Sequence, residues 1–92
     1  MHETPLMGSK TLSKCIGVPV YFKCENLQKT GSFKVRGALH KVSQLTQEER
    51  AKGVATISAG NHAQAVAWAA ASVEIPCVVV MPENASPIKV AA

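Results

Sequence analysis

The sequence predicts an α/β fold built around an open parallel sheet. Residues 54–58 and 77–81 are short apolar runs typical of buried strands, and an alanine-rich helical stretch at 62–73 lies between them. A strand, a helix and a second strand in this order indicate a parallel pair joined by a crossover. The chain has 92 residues, of which 47% are hydrophobic and 17% are charged, so we expect residues 1–92 to form a single partial domain.

Short elements are predicted for the first third of the chain. Residues 4–19 indicate a loop and then a short helix, which we expect Gly17 to end. Residues 20–24 are rich in strand-forming side chains and predict a strand. A polar connection follows at residues 26–31.

Two helices are predicted in the middle of the chain. Apolar residues with helical spacing predict an amphipathic helix over residues 33–45, with Ser32 as its N-cap. Thr46 begins the next helix, because Glu49 stands three residues later as in a capping box. The apolar face of the first helix consists of Val35, Ala38, Leu39, Val42 and Leu45.

The strand–helix–strand unit covers residues 54–81. Residues 59–61 form its first turn, and the helix at 62–73 is apolar all round, so we expect it to be buried on more than one side. Pro82 stops the second strand. The pattern predicts that another helix begins at residues 88–92, without a stop signal, so we expect the sequence to be a fragment.

Composition excludes several classes of function. The net charge is +4, but the basic residues are scattered and aromatic residues are only 4%, so we expect no nucleic-acid binding. The basic residues before Gln44 favour a small anionic ligand instead. No apolar stretch is long enough for a signal peptide or a membrane span, so we expect no membrane partner.

Cysteine and histidine spacing does not predict a metal site. The three cysteines are an odd number without C-x-x-C spacing, which predicts neither a zinc site nor a disulfide framework. Reduced thiols are typical of a cytoplasmic protein, which is the expected location. His62 lies far in sequence from His2 and His40, and no carboxylate cluster accompanies it.

The first chemically interesting segment is residues 30–38. If Ser32 caps the helix, Lys34 lies in the first turn, where the helix dipole disfavours an ammonium group. Nearby Lys29 and Arg36, together with partial burial, would favour the neutral amine that Schiff-base chemistry needs. On these grounds alone, a solvated surface lysine is the more common alternative.

The second segment, residues 58–64, lies between the end of a strand and the start of a helix. Ligands of open α/β sheets bind at such strand ends, and helix N-termini bind carboxylates or phosphates. Gly60 permits close backbone approach, and Ser58 and Asn61 add hydrogen-bonding side chains. The alternative is that Asn61 is only an N-cap and His62 an ordinary first-turn residue.

Together the two segments resemble a known family. Residues 25–38 look like the cofactor-lysine signature of threonine and serine dehydratases, and residues 58–64 look like their substrate-carboxylate loop. Residues 4–6 and 80–83 also stand where that family would have them. These enzymes belong to the tryptophan-synthase-β-like, fold-type II group. The resemblance implies a partial three-layer open parallel sheet, pyridoxal 5'-phosphate as cofactor and a homo-oligomeric full-length enzyme.

The resemblance also implies a role for each site residue. Lys34 would bind the cofactor as a Schiff base and act as general base, Phe33 would pack near the cofactor ring, and Asn61 would hydrogen-bond the ring oxygen. L-Threonine or L-serine would lose its β-hydroxyl and give a 2-oxo acid and ammonia. The substrate carboxylate would be held by Ser58, Ala59, Gly60, Asn61 and His62.

The sequence departs from the family pattern in ways that leave alternatives open. The glycine-rich loop for the cofactor phosphate and the residue that contacts the pyridine nitrogen are not in this sequence, so we expect the isolated chain to be inactive. Glu74 stands where a glycine often ends the helix.

A serine racemase shares both motifs, although Ala59 favours a dehydratase. The remaining alternative is a non-catalytic truncated form that acts by association or ligand binding.

Overall fold

A computed structural model describes residues 1–85 and Pro87. The predicted helix at 88–92 lies outside these residues. The elements in chain order are β1 (Leu6–Gly8), α1 (Lys10–Ile16), β2 (Tyr21–Lys23), short 3-10 turns at Glu25–Leu27 and Lys29–Gly31, α2 (Lys34–Ser43), α3 (Gln47–Lys52), β3 (Val54–Ile57), α4 (Asn61–Ser72) and β4 (Cys77–Val80).

The predicted crossover unit is present. β3 and β4 pair in parallel, in a register that sets Val54 opposite Cys77 and Ile57 opposite Val80, and α4 connects them. Val54 and Cys77 pack on the core, so α4 covers the face to which they belong. This arrangement confirms the α/β class.

The expectation that both strands are buried is wrong for one face of the parallel sheet. Exposure alternates along β3 and β4, and Ile57 is 81% exposed. The physical reason is that, within residues 1–85, helices cover only one face of this sheet. The exposed face consists of Ala55, Ile57, Val78 and Val80.

An antiparallel pair precedes the parallel sheet. β1 pairs with β2 in a register that places Met7 opposite Phe22, and α1 connects them. Sequence patterns did not indicate β1, whereas β2 and α1 were expected. Gly17 ends α1 as predicted, with a left-handed φ of 75° and an N–H that donates to Ser13 at 2.9 Å.

The core lies where α2 packs against α4. Small side chains let the two helices approach closely, because alanine projects only a methyl group between them. α4 contacts α2 on one side and the parallel strands on another, which confirms that it is buried on more than one side. The buried residues of this cluster are Val35, Ala38, Val42, Ala65, Ala69, Ala70 and Ile75.

Local capping sets the boundaries of α3. Glu49 N–H donates to the Thr46 hydroxyl at 3.2 Å and Thr46 N–H donates to the Glu49 carboxylate at 3.0 Å, so the predicted capping box is confirmed. Gly53 follows α3 with a φ of 85°. A Cβ there would lie 2.6 Å from the Pro76 carbonyl oxygen, so this junction with the sheet requires glycine.

No helix among the described residues combines the length and the apolar character that a membrane crossing requires.

Candidate functional site

Lys34 is the first residue of α2. The helix begins one residue later and ends two residues earlier than predicted, but Lys34 still lies in its first turn. Ser32 is buried and has an extended backbone, and its hydroxyl accepts the Lys34 N–H at 3.3 Å. Phe33 occupies the formal cap position and offers no side-chain acceptor. The prediction that Ser32 is the N-cap is therefore wrong by one residue, although its hydroxyl still accepts an N–H from the first turn of the helix.

The Lys34 side chain is exposed, so the expectation of partial burial is wrong. Its Nζ lies 5.3 Å from the centroid of the Phe33 ring, and that ring is itself 60% exposed. Neither ion pair found within residues 1–85 involves Lys34. An accessible amine therefore lies beside an accessible aromatic face.

Arg36 does not act on Lys34 as the sequence suggested, because Glu25 neutralises it. The guanidinium donates through Nε to Glu25 Oε2 at 2.8 Å and through Nη2 to Oε1 at 2.7 Å. These bonds, followed by one from the Thr4 hydroxyl, lower the pKa of Glu25 to about 2. A fork of this kind is the strongest common geometry for a charged hydrogen bond.

Gln28 belongs to the same neighbourhood, although sequence reasoning placed it in a plain polar connection. It is only 4% exposed, and its side-chain amide accepts from His2 N–H and donates to His2 C=O, both at 2.8 Å. Its Oε1 also accepts the Lys29 N–H at 2.9 Å. Gln28 and His2 are 26 residues apart, so no local pattern could have indicated this contact.

The second segment, residues 58–64, follows β3 directly. Ser58 N–H donates to the Val80 carbonyl at 3.0 Å and prolongs the sheet pairing, while the Ser58 hydroxyl accepts the Gly60 N–H at 3.1 Å. Ser58, Ala59 and Gly60 are half-buried. The Ser58 hydroxyl therefore shapes the loop that leads into α4.

α4 begins at Asn61, and the cap position is Gly60. Asn61 is therefore not the N-cap, and both its side chain and that of His62 are exposed. Gly60 has no side chain to cap the helix, and helix geometry leaves the N–H groups of the first turn without intrahelical acceptors. A Cβ at Gly60 would meet no atom within 4 Å. Free N–H groups at a helix N-terminus are in general able to bind anions such as a carboxylate.

α4, which begins in the second segment, contacts both α2 and the turn at Lys29–Gly31, which carry the first segment. A cavity of about 300 Å³ lies between α2, β3 and α4, and His62 from the second motif and Gly37 from the first both line it. The complete lining is Gly37, Ala38, Lys41, Val42, Val54, Ala55, Thr56, His62 and Val66.

These residues fit pyridoxal phosphate in part. The exposed amine of Lys34 and the exposed amide of Asn61 are groups that can bind an aldehyde and a ring oxygen, and Phe33 offers a ring face.

The described part of the chain contains no group of three or more His, Cys, Asp or Glu side chains that could hold a metal ion. Cys15, Cys24 and Cys77 are free thiols.

Comparison with known proteins gives whole-length matches to this chain. A family model described as pyridoxal-phosphate dependent enzyme matches residues 1–92. L-threo-3-hydroxyaspartate ammonia-lyase of Saccharomyces cerevisiae is 48% identical over 92 residues, which are 100% of this chain and 28% of that protein. L-threonine ammonia-lyase of Geobacter sulfurreducens is 51% identical over 92 residues, 100% of this chain and 23% of that protein.

Solved structures resemble this one closely. The crystal structure of serine racemase from Dictyostelium discoideum has a TM-score of 0.91 and 48% identity, covering 98% of this chain and 30% of that one. The structure of the processed form of threonine deaminase isoform 2 from Solanum lycopersicum has a TM-score of 0.88 and 44% identity, covering 98% of this chain and 25% of that one.

The crossover unit with its open loop at the strand ends defines an α/β protein of the kind that binds ligands at that edge. Since the family model matches every residue, the chain belongs to the pyridoxal-phosphate dependent enzyme family, in its fold-type II branch. Its relatives include both ammonia-lyases and racemases. The chain spans 28% of the yeast relative and 23% of the Geobacter relative.

Proposed function

We propose that this chain supplies the cofactor lysine and the carboxylate loop of a pyridoxal-phosphate-dependent ammonia-lyase that acts on L-threonine or L-serine. The observation that carries the proposal is the position of Lys34. Its accessible amine stands at the start of α2, beside the exposed Phe33 ring, on a helix that packs against α4. The L-threonine ammonia-lyase of Geobacter sulfurreducens supports the choice of reaction.

Each site residue has a distinct task in this proposal. Lys34 binds the cofactor covalently and then moves a proton at the substrate α-carbon, while Phe33 packs near the cofactor ring. The side chain of Asn61 hydrogen-bonds the ring oxygen. When bound, pyridoxal phosphate supplies an electron sink. The substrate carboxylate is held by Ser58, Ala59, Gly60, Asn61 and His62.

Borohydride trapping tests the role of Lys34. The 92-residue chain is incubated with pyridoxal phosphate and reduced, and the modified lysines are mapped by mass spectrometry. We expect label at Lys34 in excess of every other lysine. Lys34→Arg should abolish this label, while Lys41→Arg, on the same helix, should leave it unchanged. Even labelling of all lysines would contradict the assignment.

A segment exchange tests the reaction. The 92 aligned residues of the Geobacter ammonia-lyase are replaced by this chain, and release of 2-oxobutanoate from L-threonine is measured. We expect the chimera to be active and its Lys34→Ala variant to be inactive. An inactive but folded chimera that retains the lysine would count against an ammonia-lyase.

Racemisation is the alternative reaction. The serine racemase of Dictyostelium discoideum is 48% identical over the whole chain and the Geobacter ammonia-lyase 51%, so sequence identity supports both reactions about equally. The same exchange into that host separates the two, because D-serine and pyruvate are measured side by side. Ala59 is the residue to vary: Ala59→Ser should raise the ratio of D-serine to pyruvate if Ala59 favours elimination. An unchanged ratio removes Ala59 as the basis for choosing a dehydratase.

A second candidate is a non-catalytic form that acts by association. The exposed apolar face of the parallel sheet favours it, since Ile57 is 81% and Val80 50% exposed. Sedimentation velocity over a range of concentrations should show association that Ile57→Thr with Val80→Thr abolishes. Val18→Thr, at a 55% exposed apolar residue between α1 and β2, serves as the control. A concentration-independent monomer would dismiss this candidate.

A further inference from the structure

Glu25 joins three separate segments of the chain. Its carboxylate accepts the hydroxyl of Thr4 and both prongs of the Arg36 guanidinium, and its side chain is only 14% exposed. Thr4 belongs to the N-terminal strap, which we define as residues 2–4. Arg36 belongs to the first turn of α2, two residues after Lys34.

Gln28 holds the same strap at a second point. Its side-chain amide pairs with both backbone groups of His2, as a neighbouring strand would, and its Oε1 also accepts the Lys29 N–H at the start of the next turn. Gln28 and Thr4 are each 4% exposed. A buried amide with its hydrogen bonds satisfied in this way fixes local geometry, because breaking any bond would leave a buried polar group unpaired.

Contacts on two sides hold the first turn of α2 in place. Successive residues of a helix are rotated by about 100°. Val35 is completely buried in the core with α4, and Arg36 is tied to Glu25, so the helix start cannot turn about its own axis. Because Lys34 precedes both residues, these two contacts set the direction of its Cα–Cβ bond, from which the exposed side chain extends.

We propose that Glu25, supported by the N-terminal strap, is a positioning residue that orients Lys34 for the cofactor. This inference rests on the proposed role of Lys34 in binding pyridoxal phosphate. Glu25 acts through Arg36 and the helix start and does not itself touch the cofactor. Loss of the carboxylate leaves the fold in place but frees the first turn of α2.

The test uses the 92-residue chain and two independent readouts. One is the ratio of borohydride-trapped label at Lys34 to label at Lys41, and the other is amide hydrogen exchange at residues 33–36 compared with α4. Glu25→Gln should lower the label ratio by roughly threefold to tenfold, the effect of losing one hydrogen bond of ordinary strength, and should speed exchange at 33–36 only. The matched control is Glu48→Gln, which removes the carboxylate of an exposed ion pair with Lys52 on α3 and should change neither readout.

Two outcomes overturn the inference. Either Glu25→Gln leaves exchange at 33–36 unchanged, or exchange accelerates while the label ratio stays at the wild-type value. If wild-type chain labels Lys34 no more than Lys41, the proposed cofactor role fails, and exchange alone then decides whether Glu25 fixes the helix start. Should Glu25→Gln unfold the chain, Thr4→Val removes one bond of the strap and should move both readouts less, in the same direction.

Discussion

The backbone N–H of Ile75 donates to the carbonyl of Ala70 at 2.9 Å and closes the end of α4 in a Schellman motif. The backbone N–H of Glu74 donates to the carbonyl of Ala71 at 3.2 Å, and Glu74 lies in the left-handed region with a φ of 56°. Ile75 is buried behind this turn. The position where a family glycine was expected thus has a positive φ but carries a glutamate.

Glu74→Gly should therefore stabilise the chain. A left-handed conformation costs a residue with a Cβ about 1–2 kcal/mol, and the greater freedom of glycine in the unfolded chain offsets part of the gain. We expect a net rise of about 0.5–1 kcal/mol in the free energy of unfolding, measured with urea. Glu74→Ala keeps the Cβ and should bring no such gain; if it stabilises equally, side-chain chemistry and not φ is responsible.

Gly53→Ala should destabilise the junction between α3 and β3. The added methyl would meet the Pro76 carbonyl oxygen at 2.6 Å, and φ is 85°. We expect a loss of about 2–3 kcal/mol from the combined strain. Gly17→Ala is the matched control, because its φ of 75° is similar but a Cβ there meets nothing within 4 Å. Equal losses at both sites would show that the Pro76 contact relaxes freely.

Thr30, four residues before Lys34, has two energetically unfavourable features. Its φ is 63°, and its hydroxyl oxygen is buried without a hydrogen-bond partner in the described part of the chain. Thr30→Val keeps the shape and removes the unpaired group, so the free energy of unfolding should stay equal or rise. Thr46→Val makes the same chemical change at a hydroxyl that caps α3 and should cost about 1 kcal/mol. A comparable loss at Thr30 would mean that its hydroxyl does find a partner.

Local signals made the middle of the fold predictable from sequence. The capping box of Thr46 and Glu49, and the glycine that ends α1, are signals that act within a few residues. The two strands and the helix of the strand–helix–strand unit each have a recognisable pattern of apolar residues. β1 was missed because three residues carry no alternation and its pairing with β2 is long-range. The exposure of Lys34 agrees with the alternative of a solvated surface lysine, whereas its partial burial was a wrong expectation, since a helical wheel does not indicate what covers the border of an apolar face.

Acid should weaken the fold through Glu25. Its pKa is lowered from 4.5 to about 2 in the folded chain, chiefly by hydrogen bonds from Arg36 and then from Thr4. The unfolded chain therefore binds a proton more readily, so this contribution is complete above pH 4.5 and is lost as pH falls toward about 2.

Glu25→Gln should flatten the dependence of the unfolding free energy on pH in this window. Some slope should remain, because hydrogen bonds from Thr46 also lower the pKa of Glu49. Arg36→Ala should flatten the same limb, and the double variant should add little further, since both residues contribute through one ion pair. Urea unfolding at closely spaced pH values measures all four curves. Additive effects in the double variant would show that Arg36 is not the cause of the low Glu25 pKa.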